Sequence, residues 1–244
     1  MKVLASDFDG TLFFDGKFKT EDIQKIKEFQ KQGNLFGLCS GRPFKGIIAT
    51  TDGQIDYDFY ILCTGALVLN KQQEVIYKNT ITPELLKRFY EKYMIDYKIF
   101  IQANFQIYAF EDDVLTGIVR QKITSLEEVE GDIYGISMNT GDENNAKKIC
   151  QEIIDTFSEL DAFQNKEFID VVPKGSSKGN GISHLKTALG IQSIAGIGDS
   201  YNDITMLDEV NQAFTFSNSP DVVKEHADYI VSSVAEAIDQ LIIK

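Results

Sequence analysis

The stretch VLASDFDGT, residues 3–11, joins a short apolar run to two closely spaced acids and a glycine. Its apolar part predicts a buried β-strand, because a short run without polar alternation is typical of a strand covered on both faces. Asp7 and Asp9 follow at the carboxyl end, and residues two apart in an extended chain share one side. Gly10 permits a sharp turn after them. The stretch therefore predicts a strand that delivers two carboxylates to one site.

Strands and helices alternate on both sides of the middle of the chain. A helix is predicted over 20–32, with Thr20 as its N-cap, and buried strands over 35–39 and 59–63. The last third continues with helices over 177–188, 201–209, 220–226 and 235–243, and with strands over 194–197, 213–216 and 229–231. This alternation predicts an α/β fold with a Rossmann-like, doubly wound parallel sheet covered on both faces.

The middle of the chain has a different pattern. A helix over 83–94 precedes two alternating strands, 98–102 and 106–110, which suit a hairpin around Asn104. Further strands over 133–138, 162–164 and 168–172 and a helix over 143–157 complete it, and Asp112-Asp113 is interpreted as a helix start. Strands without intervening helices indicate an antiparallel sheet. We therefore predict an inserted α+β domain, 81–173, within a catalytic core formed by 1–80 and 174–244.

Composition narrows the classes of partner. The formal net charge of −13 argues against nucleic acid and anionic membranes as partners. It also requires any phosphate site to be locally positive. The three cysteines form no CxxC motif, which fits a reducing compartment, and we find no signal peptide or membrane span. We expect a cytoplasmic protein; the sequence does not fix its oligomeric state, and a monomer is the simplest expectation.

Polar residues follow the predicted core strands where each one ends. Ser40-Gly41-Arg42 follows the second strand, Lys178 begins a later helix, and GDSYND at 198–203 follows the strand over 194–197. Ligands of a doubly wound sheet bind at the carboxyl ends of its strands, so these groups should converge on Asp7 and Asp9. Several carboxylates in a small space repel one another, and a cation relieves that repulsion. Oxygen ligands favour Mg²⁺ over zinc, so we predict a magnesium site.

This set of residues suits phosphoryl transfer. Asp7 could attack phosphorus and form an aspartyl-phosphate, while Lys178 and the metal neutralise the phosphoryl oxygens and Ser40 donates a hydrogen bond. Asp9 would protonate the leaving oxygen and later deprotonate the hydrolytic water. Lys174 and Lys186 are the alternatives to Lys178, and Ser40 could instead be a simple helix cap.

Two motifs, DFDGT at 7–11 and GDSYND at 198–203, resemble the first and last motifs of the haloacid dehalogenase (HAD) superfamily. Ser40 and Lys178 lie between them in the expected order. The insertion lies where a C2-type cap occurs, and the chain is most similar to the Cof-like phosphatase branch. One position departs from that branch, which often has Asn-Gly-Ala where this chain has Thr64-Gly65-Ala66.

The resemblance implies a role for each matching residue. Asp7 would be the nucleophile and a metal ligand, Asp9 the acid–base residue with its carbonyl on the metal, and Asp199 the third protein ligand. Phosphate or substrate would be bound by Ser40, Gly41, Arg42, Lys178 and Asn202, with Asp203, Thr11 and Gly10 in support. A small phosphorylated metabolite, foremost a sugar phosphate, is the expected substrate. Gln102, Asn104 and Phe105, near the tip of the predicted hairpin, are candidate substrate contacts.

Two other functions remain open from the sequence. A phosphomutase would use the same nucleophile and return the phosphate to the bound product. A receiver-like signalling domain also combines an acidic pocket, a phosphoacceptor aspartate and a lysine, although the second acid at Asp9 and the large insertion speak against it. No motif residue is missing, which disfavours a catalytically inactive binding protein.

Overall fold

The structure is a computed structural model that describes residues 1–51, 53–110 and 120–243. The helix start predicted at Asp112-Asp113 lies outside the described residues. Among the described helices, none combines the length and the apolar character that crossing a membrane requires.

Strands and helices have the following bounds. The strands are β1 (Val3–Ser6), β2 (Phe13–Phe14), β3 (Lys17–Phe18), β4 (Leu35–Cys39), β5 (Phe59–Leu62), β6 (Leu67–Asn70), β7 (Val75–Lys78), β8 (Lys98–Ala103), β9 (Gln106–Ala109), β10 (Arg120–Lys122), β11 (Ile133–Asn139), β12 (Leu160–Asn165), β13 (Phe168–Pro173), β14 (Ala195–Ile197), β15 (Gln212–Phe216) and β16 (Tyr229–Val231). The helices are α1 (Thr20–Lys31), α2 (Phe44–Thr51), α3 (Pro83–Tyr93), α4 (Glu143–Thr156), α5 (Lys178–Leu189), α6 (Ile204–Glu209), α7 (Asp221–Lys224) and α8 (Val234–Ile243).

The larger sheet has the order β16-β15-β14-β1-β4-β5-β6-β7. Its strands run parallel from β16 to β5, with β1 paired to both β4 and β14. The predicted α/β fold with a doubly wound parallel sheet is therefore confirmed. The antiparallel strands β6 and β7 at one edge were not predicted. The apolar runs at 67–69 and 75–77, separated by the polar residues 70–74, are a hairpin signal that the sequence interpretation overlooked.

The central strand β1 shows how both faces of this sheet are covered. Leu4 packs in a cluster with residues of α1 and α8, whereas Val3 and Ala5 pack with residues of α5, α6 and α7. Successive side chains of a strand point to opposite faces, so an apolar strand of this kind needs helices on both. All four residues of β1 are buried, and its backbone pairs with β4 on one side and with β14 on the other.

Two local predictions at helix and strand ends were wrong by one residue. Thr20 is the first residue of α1, and Lys19 occupies the N-cap position without a side-chain cap. Cys63, predicted as the last residue of a strand, begins a 3-10 turn and has a φ of 49°. The chain therefore turns sharply at the carboxyl end of β5.

The smaller sheet has the order β10-β9-β8-β11-β13-β12. The predicted hairpin is present as β8 and β9, and β11, β13 and β12 pair antiparallel. We refer to this sheet together with α3 and α4 as the cap. One face of the cap sheet packs against both helices, through residues such as Phe89 of α3 and Ile153 of α4. The domain boundaries at 81 and 173 stay a prediction.

The opposite face of the cap sheet is turned toward the core. Phe100, Ser137, Asp170 and Phe163 lie in one row across β8, β11, β13 and β12. A register shift between Ile133 and Gly135 leaves Tyr134 as an extra residue in β11, and Tyr134 packs in the main core cluster. Bulges of this kind re-aim a side chain, and this one joins the two sheets through an aromatic contact.

Substituting the N-cap of α5 should destabilise the protein measurably. Ser177 Oγ accepts a hydrogen bond from the Asn180 backbone N–H at 3.0 Å. We expect Ser177→Ala to lower the free energy of unfolding by ~1 kcal/mol, because an unpaired N–H at a helix start is left behind. Urea titration checks this. Thr187→Ala, an exposed position on the same helix, is the control and should change stability by less than ~0.5 kcal/mol.

Candidate active site

The predicted site residues meet at one edge of the parallel sheet. Asp7 follows β1, Ser40 follows the neighbouring β4, and Asp199 follows β14 on the other side of β1. Lys178 is the first residue of α5, directly after the Ser177 cap. Convergence follows from topology, because parallel neighbours end on the same edge.

A buried chain of charges forms the floor of the site. Lys178 Nζ donates to Asp7 Oδ1 at 2.6 Å and to Asp203 Oδ1 at 2.6 Å. The Lys178 side chain is fully buried, and Asp7 is 6% exposed. A charge this deeply buried requires partners, and the two carboxylates supply them. Lys174 instead pairs with Asp161 and Lys186 with Glu209, so among the three candidate lysines Lys178 is the one at the site.

Both carboxylate oxygens of Asp203 accept hydrogen bonds. Its Oδ1 accepts from Lys178, and its Oδ2 accepts from the backbone N–H groups of Asp199 and Ser200 at 3.0 and 2.9 Å. These bonds shape the loop after β14 and fix the position of the ammonium group. The geometry favours a supporting role for this residue.

Asp199 is held from the opposite side of the site. Thr11 Oγ1 donates to Asp199 Oδ1 at 2.8 Å. Gly10 has a φ of +85°, and a Cβ there would lie 2.7 Å from Asp199 Oδ2. Only glycine allows both this backbone conformation and this close approach. Gly10 therefore leaves room for the Asp199 carboxylate beside the turn after β1, and Thr11 holds it there by a hydrogen bond.

Three buried carboxylates, those of Asp7, Asp199 and Asp203, bring oxygen atoms within 4.8 Å of one another. Buried Lys178 offsets one negative charge, and the half-exposed Lys166 of the cap has its Nζ 3.9 Å from Asp199 Oδ2. Of the three residues, Asp7 and Asp199 each keep a carboxylate oxygen with no hydrogen bond among the described residues. An all-oxygen set in which three carboxylates share one buried lysine fits a hard divalent cation, so these side chains can hold a metal ion.

The pKa shifts at the site have the sign expected for crowded acids. Burial and the Asp203 charge raise the pKa of Asp7 well above its usual range, although Lys178 opposes the shift. Burial and Asp203 also raise the pKa of Asp199 to about 6. Burial lowers the pKa of Lys178, but the carboxylates of Asp203 and Asp7 outweigh it and the pKa is raised overall. A bound cation would favour the charged form of both acids.

The Asp9 side chain is more exposed to solvent than that of Asp7. Its carboxylate accepts two hydrogen bonds from Arg42, from Nε at 2.6 Å and from Nη2 at 2.5 Å. The Arg42 guanidinium also lies 5.1 Å from the centre of the Phe8 ring. A two-bond arginine pair of this kind fixes the orientation of a carboxylate as well as its position. The structure thus places Arg42 on Asp9.

A cavity of about 330 Å³ lies above this floor and is lined by residues of both sheets. The core wall includes Asp7, Asp9, Ser40, Arg42 and Asn202. Ser40 is 2% exposed, and its Oγ accepts from the Arg42 N–H at 3.2 Å, which leaves its hydroxyl proton available for a further acceptor.

The cap wall is only partly as predicted. Gln102 lines the cavity, whereas Phe105 packs against Phe44 and Tyr134. Asn104 is exposed and does not line it. Both Asn104 and Phe105 have positive φ and form the hairpin turn, beyond the paired strand positions that line the cavity.

Several lining residues were missed by sequence reasoning. The cap wall also contains Phe100, Ser137, Asn165, Lys166, Phe168 and Asp170. One signal could have found Asp170, since an acid in the middle of the apolar strand FIDVVP at 168–173 is unusual for a buried strand. The rest required knowing which face of the cap sheet meets the core.

Comparison with known proteins defines the class. The model of haloacid dehalogenase-like hydrolases matches residues 4–239, and the chain belongs to that family. The resemblance inferred from DFDGT and GDSYND is thereby confirmed. A curated relative, the 5-amino-6-(5-phospho-D-ribitylamino)uracil phosphatase YwtE of Bacillus subtilis, is 23% identical over 99% of this chain and 98% of its own length. The chain is therefore an enzyme of the haloacid dehalogenase-like hydrolase family, and a curated phosphatase is similar to it over almost its whole length.

Solved structures agree on the fold. A haloacid dehalogenase-like hydrolase from B. subtilis superposes with a TM-score of 0.87 at 17% identity, covering 99% of each chain. The HAD subclass IIB sugar phosphatase BT4131 superposes with a TM-score of 0.81 at 24% identity, covering 100% of each chain. Both similarities extend over the core and the cap together.

Proposed function

We propose that this protein is a Mg²⁺-dependent phosphatase that hydrolyses phosphate monoesters of small metabolites through an aspartyl-phosphate on Asp7. One observation carries the proposal. The Asp7 carboxylate lies at the base of the cavity with Oδ1 bonded to Lys178 and Oδ2 uncommitted, and Asp9 stands at the same cavity two residues on.

The first half-reaction uses Asp7 as the nucleophile. A carboxylate oxygen of Asp7 forms a bond to phosphorus as the bond from phosphorus to the leaving oxygen breaks. Lys178 and Ser40 stabilise negative charge on the phosphoryl oxygens, and the protonated carboxyl of Asp9 gives its proton to the leaving oxygen. Asp7, Asp199 and the backbone carbonyl of Asp9 would hold Mg²⁺, and a bound Mg²⁺ would supply further positive charge to the phosphoryl oxygens.

The second half-reaction regenerates the enzyme. The carboxylate of Asp9 takes a proton from water, the water oxygen bonds to phosphorus, and the Asp7–phosphate bond breaks. Asp9 is then protonated for the next cycle, and inorganic phosphate leaves. Arg42 donates to both Asp9 oxygens in the structure, so Asp9 must give up at least one of these bonds when it exchanges a proton with the leaving group or with water.

Small phosphorylated metabolites, sugar phosphates foremost, are the proposed substrates. A cavity of about 330 Å³ suits a compact ligand. The names of two similar proteins, a sugar phosphatase and a ribitylaminouracil phosphatase, point to the same class. The net charge of −13 makes nucleic acid an unsuitable partner.

Phosphate release from a panel of metabolite phosphates tests the proposal. We expect release with Mg²⁺ and loss of release in excess chelator. Persistent turnover in chelator would contradict the role of the metal. Product analysis also separates the phosphomutase alternative, because that enzyme would give an isomerised sugar phosphate in place of inorganic phosphate.

Replacing the acid–base residue should separate the two half-reactions. We expect Asp9→Asn to lower the steady-state rate by about 10²- to 10⁴-fold, the usual contribution of a positioned proton donor. A substrate with a good leaving group, such as para-nitrophenyl phosphate, needs little protonation, so the variant should accumulate phosphoenzyme. Intact-protein mass spectrometry after rapid acid quench measures this adduct. An Asp9→Asn enzyme with unchanged turnover would contradict the assignment.

A further inference from the structure

Asp170 belongs to the cap, and its side chain contacts residues of the core. It lies on β13 and is 5% exposed. Its Oδ2 accepts hydrogen bonds from Thr64 Oγ1 at 3.2 Å and from Asn202 Nδ2 at 3.2 Å. Thr64 and Asn202 are themselves buried, and they belong to two core loops on opposite sides of β1 and β4. A single cap carboxylate thus joins three separate segments.

A carboxylate in this position is costly unless it is paired. Burial raises the pKa of Asp170, while the hydrogen bonds from Asn202 and Thr64 and the charge of Lys178 oppose the shift. Both donors come from the core, so the closed arrangement of cap and core is the one that satisfies this group. Separating the cap sheet from the core would break both hydrogen bonds to Asp170 together, so this carboxylate favours the closed arrangement.

Thr64 supports the same interpretation from the core side. Its φ of 51° and ψ of 40° lie in the left-handed region, which is unfavourable for a β-branched residue. Glycine or asparagine would adopt this conformation with less strain. The Thr64 hydroxyl is the donor to Asp170, which gives a reason for a strained threonine at this turn.

Gly41 leaves room for the Asp170 carboxylate beside the catalytic residues. A Cβ at position 41 would lie 2.7 Å from Asp170 Oδ2. The side chain therefore rests against the backbone that directly follows Ser40. On its other side it bonds Asn202, whose neighbour Asp203 holds Lys178. Asp170 thus lies against two loops of the proposed phosphate site, the one that carries Ser40 and the one that carries Asn202.

We propose that Asp170 is a positioning residue that latches the cap onto the core and aligns the loops carrying Ser40 and Asn202 for turnover. We call Asp170, Thr64 and Asn202 the latch. The catalytic part of this inference rests on the proposed phosphatase function. The mechanical part does not, since it concerns only how the two sheets are held together.

Amide hydrogen exchange tests the mechanical part without any substrate. The Lys45 N–H donates to the Phe105 carbonyl, a cap–core contact distinct from the latch. We expect Asp170→Asn and Thr64→Val to raise exchange at Lys45 by about tenfold, because weaker latching opens the whole interface. Thr64→Ser keeps the hydroxyl and should stay near wild type. Amides within the cap sheet, such as those pairing β11 with β13, should keep their protection and show that the cap remains folded.

Kinetics tests the catalytic part. With Mg²⁺, we expect Asp170→Asn and Thr64→Val to lower kcat/KM by a similar factor, about tenfold, for glucose 6-phosphate and for para-nitrophenyl phosphate. A loss confined to the sugar phosphate would overturn the latch, because it would mean that Asp170 contacts the leaving group. Unchanged exchange at Lys45 in both variants would overturn it as well. A wild-type protein that releases no phosphate would contradict the proposed function and leave the exchange result to decide the latch.

Discussion

Asp7→Asn is expected to lower phosphate release by at least about 10³-fold, since loss of a covalent nucleophile commonly costs this much or more. The amide oxygen of asparagine is a poor nucleophile, and the substitution also removes a charged oxygen from the cluster that can hold a metal. Phosphate release at saturating substrate measures the loss. No phosphoenzyme should form, which distinguishes this variant from Asp9→Asn.

The folded state should survive this change. Burial and the neighbouring carboxylates already raise the pKa of Asp7, so a neutral amide relieves repulsion, and its oxygen can still accept a weaker hydrogen bond from Lys178. Asp15→Asn is a matched control, because Asp15 is exposed at the tip of the β2–β3 turn and carries the same chemical change. Full activity is expected from the control. Equal activity in Asp7→Asn and Asp15→Asn would rule out the nucleophile assignment.

Lys178→Met should be the most destabilising single change at the site. Removing the ammonium leaves Asp7 and Asp203 buried without their shared partner. Breaking a buried ion pair in this way costs about 3–5 kcal/mol. Denaturant unfolding measures the loss, and phosphate release should fall together with it because charge on the phosphoryl oxygens is no longer neutralised.

The pH dependence of this variant has a definite sign. Lys178 lowers the pKa of Asp7, so its removal raises that pKa further above the unfolded value. A raised pKa means that stability is present at low pH and is lost as pH rises through the folded-state pKa. The deficit of Lys178→Met should therefore be smaller at about pH 5 than at about pH 8.

A partly buried lysine of the same helix is the control for this prediction. Lys186 pairs with Glu209 at 3.4 Å near the surface. Lys186→Met should change stability by no more than ~1 kcal/mol, the usual range for a surface pair. A deficit of similar size in both variants would show that the buried pairing at Lys178 contributes little.

The sequence by itself determined the class of fold and the identity of the central acids. The VLASDFDGT stretch predicted β1 and its two carboxylates, because a short apolar strand and the turn after it depend on neighbouring residues. The same reasoning predicted β4, β14 and the start of α5, and parallel topology then required their ends to meet. Lys178, Asp199 and Asp203 converge on Asp7 for that reason.

Tertiary structure alone decided how the cap completes the site. The pairing of Arg42 with Asp9, the burial of Asp170 against Thr64, and the packing of Phe105 away from the cavity were not foreseen. Each depends on strand register and on which face of the cap sheet meets the core. Local periodicity shows that a strand has two faces, but the choice between them is made by packing between segments more than 100 residues apart, such as Thr64 and Asp170.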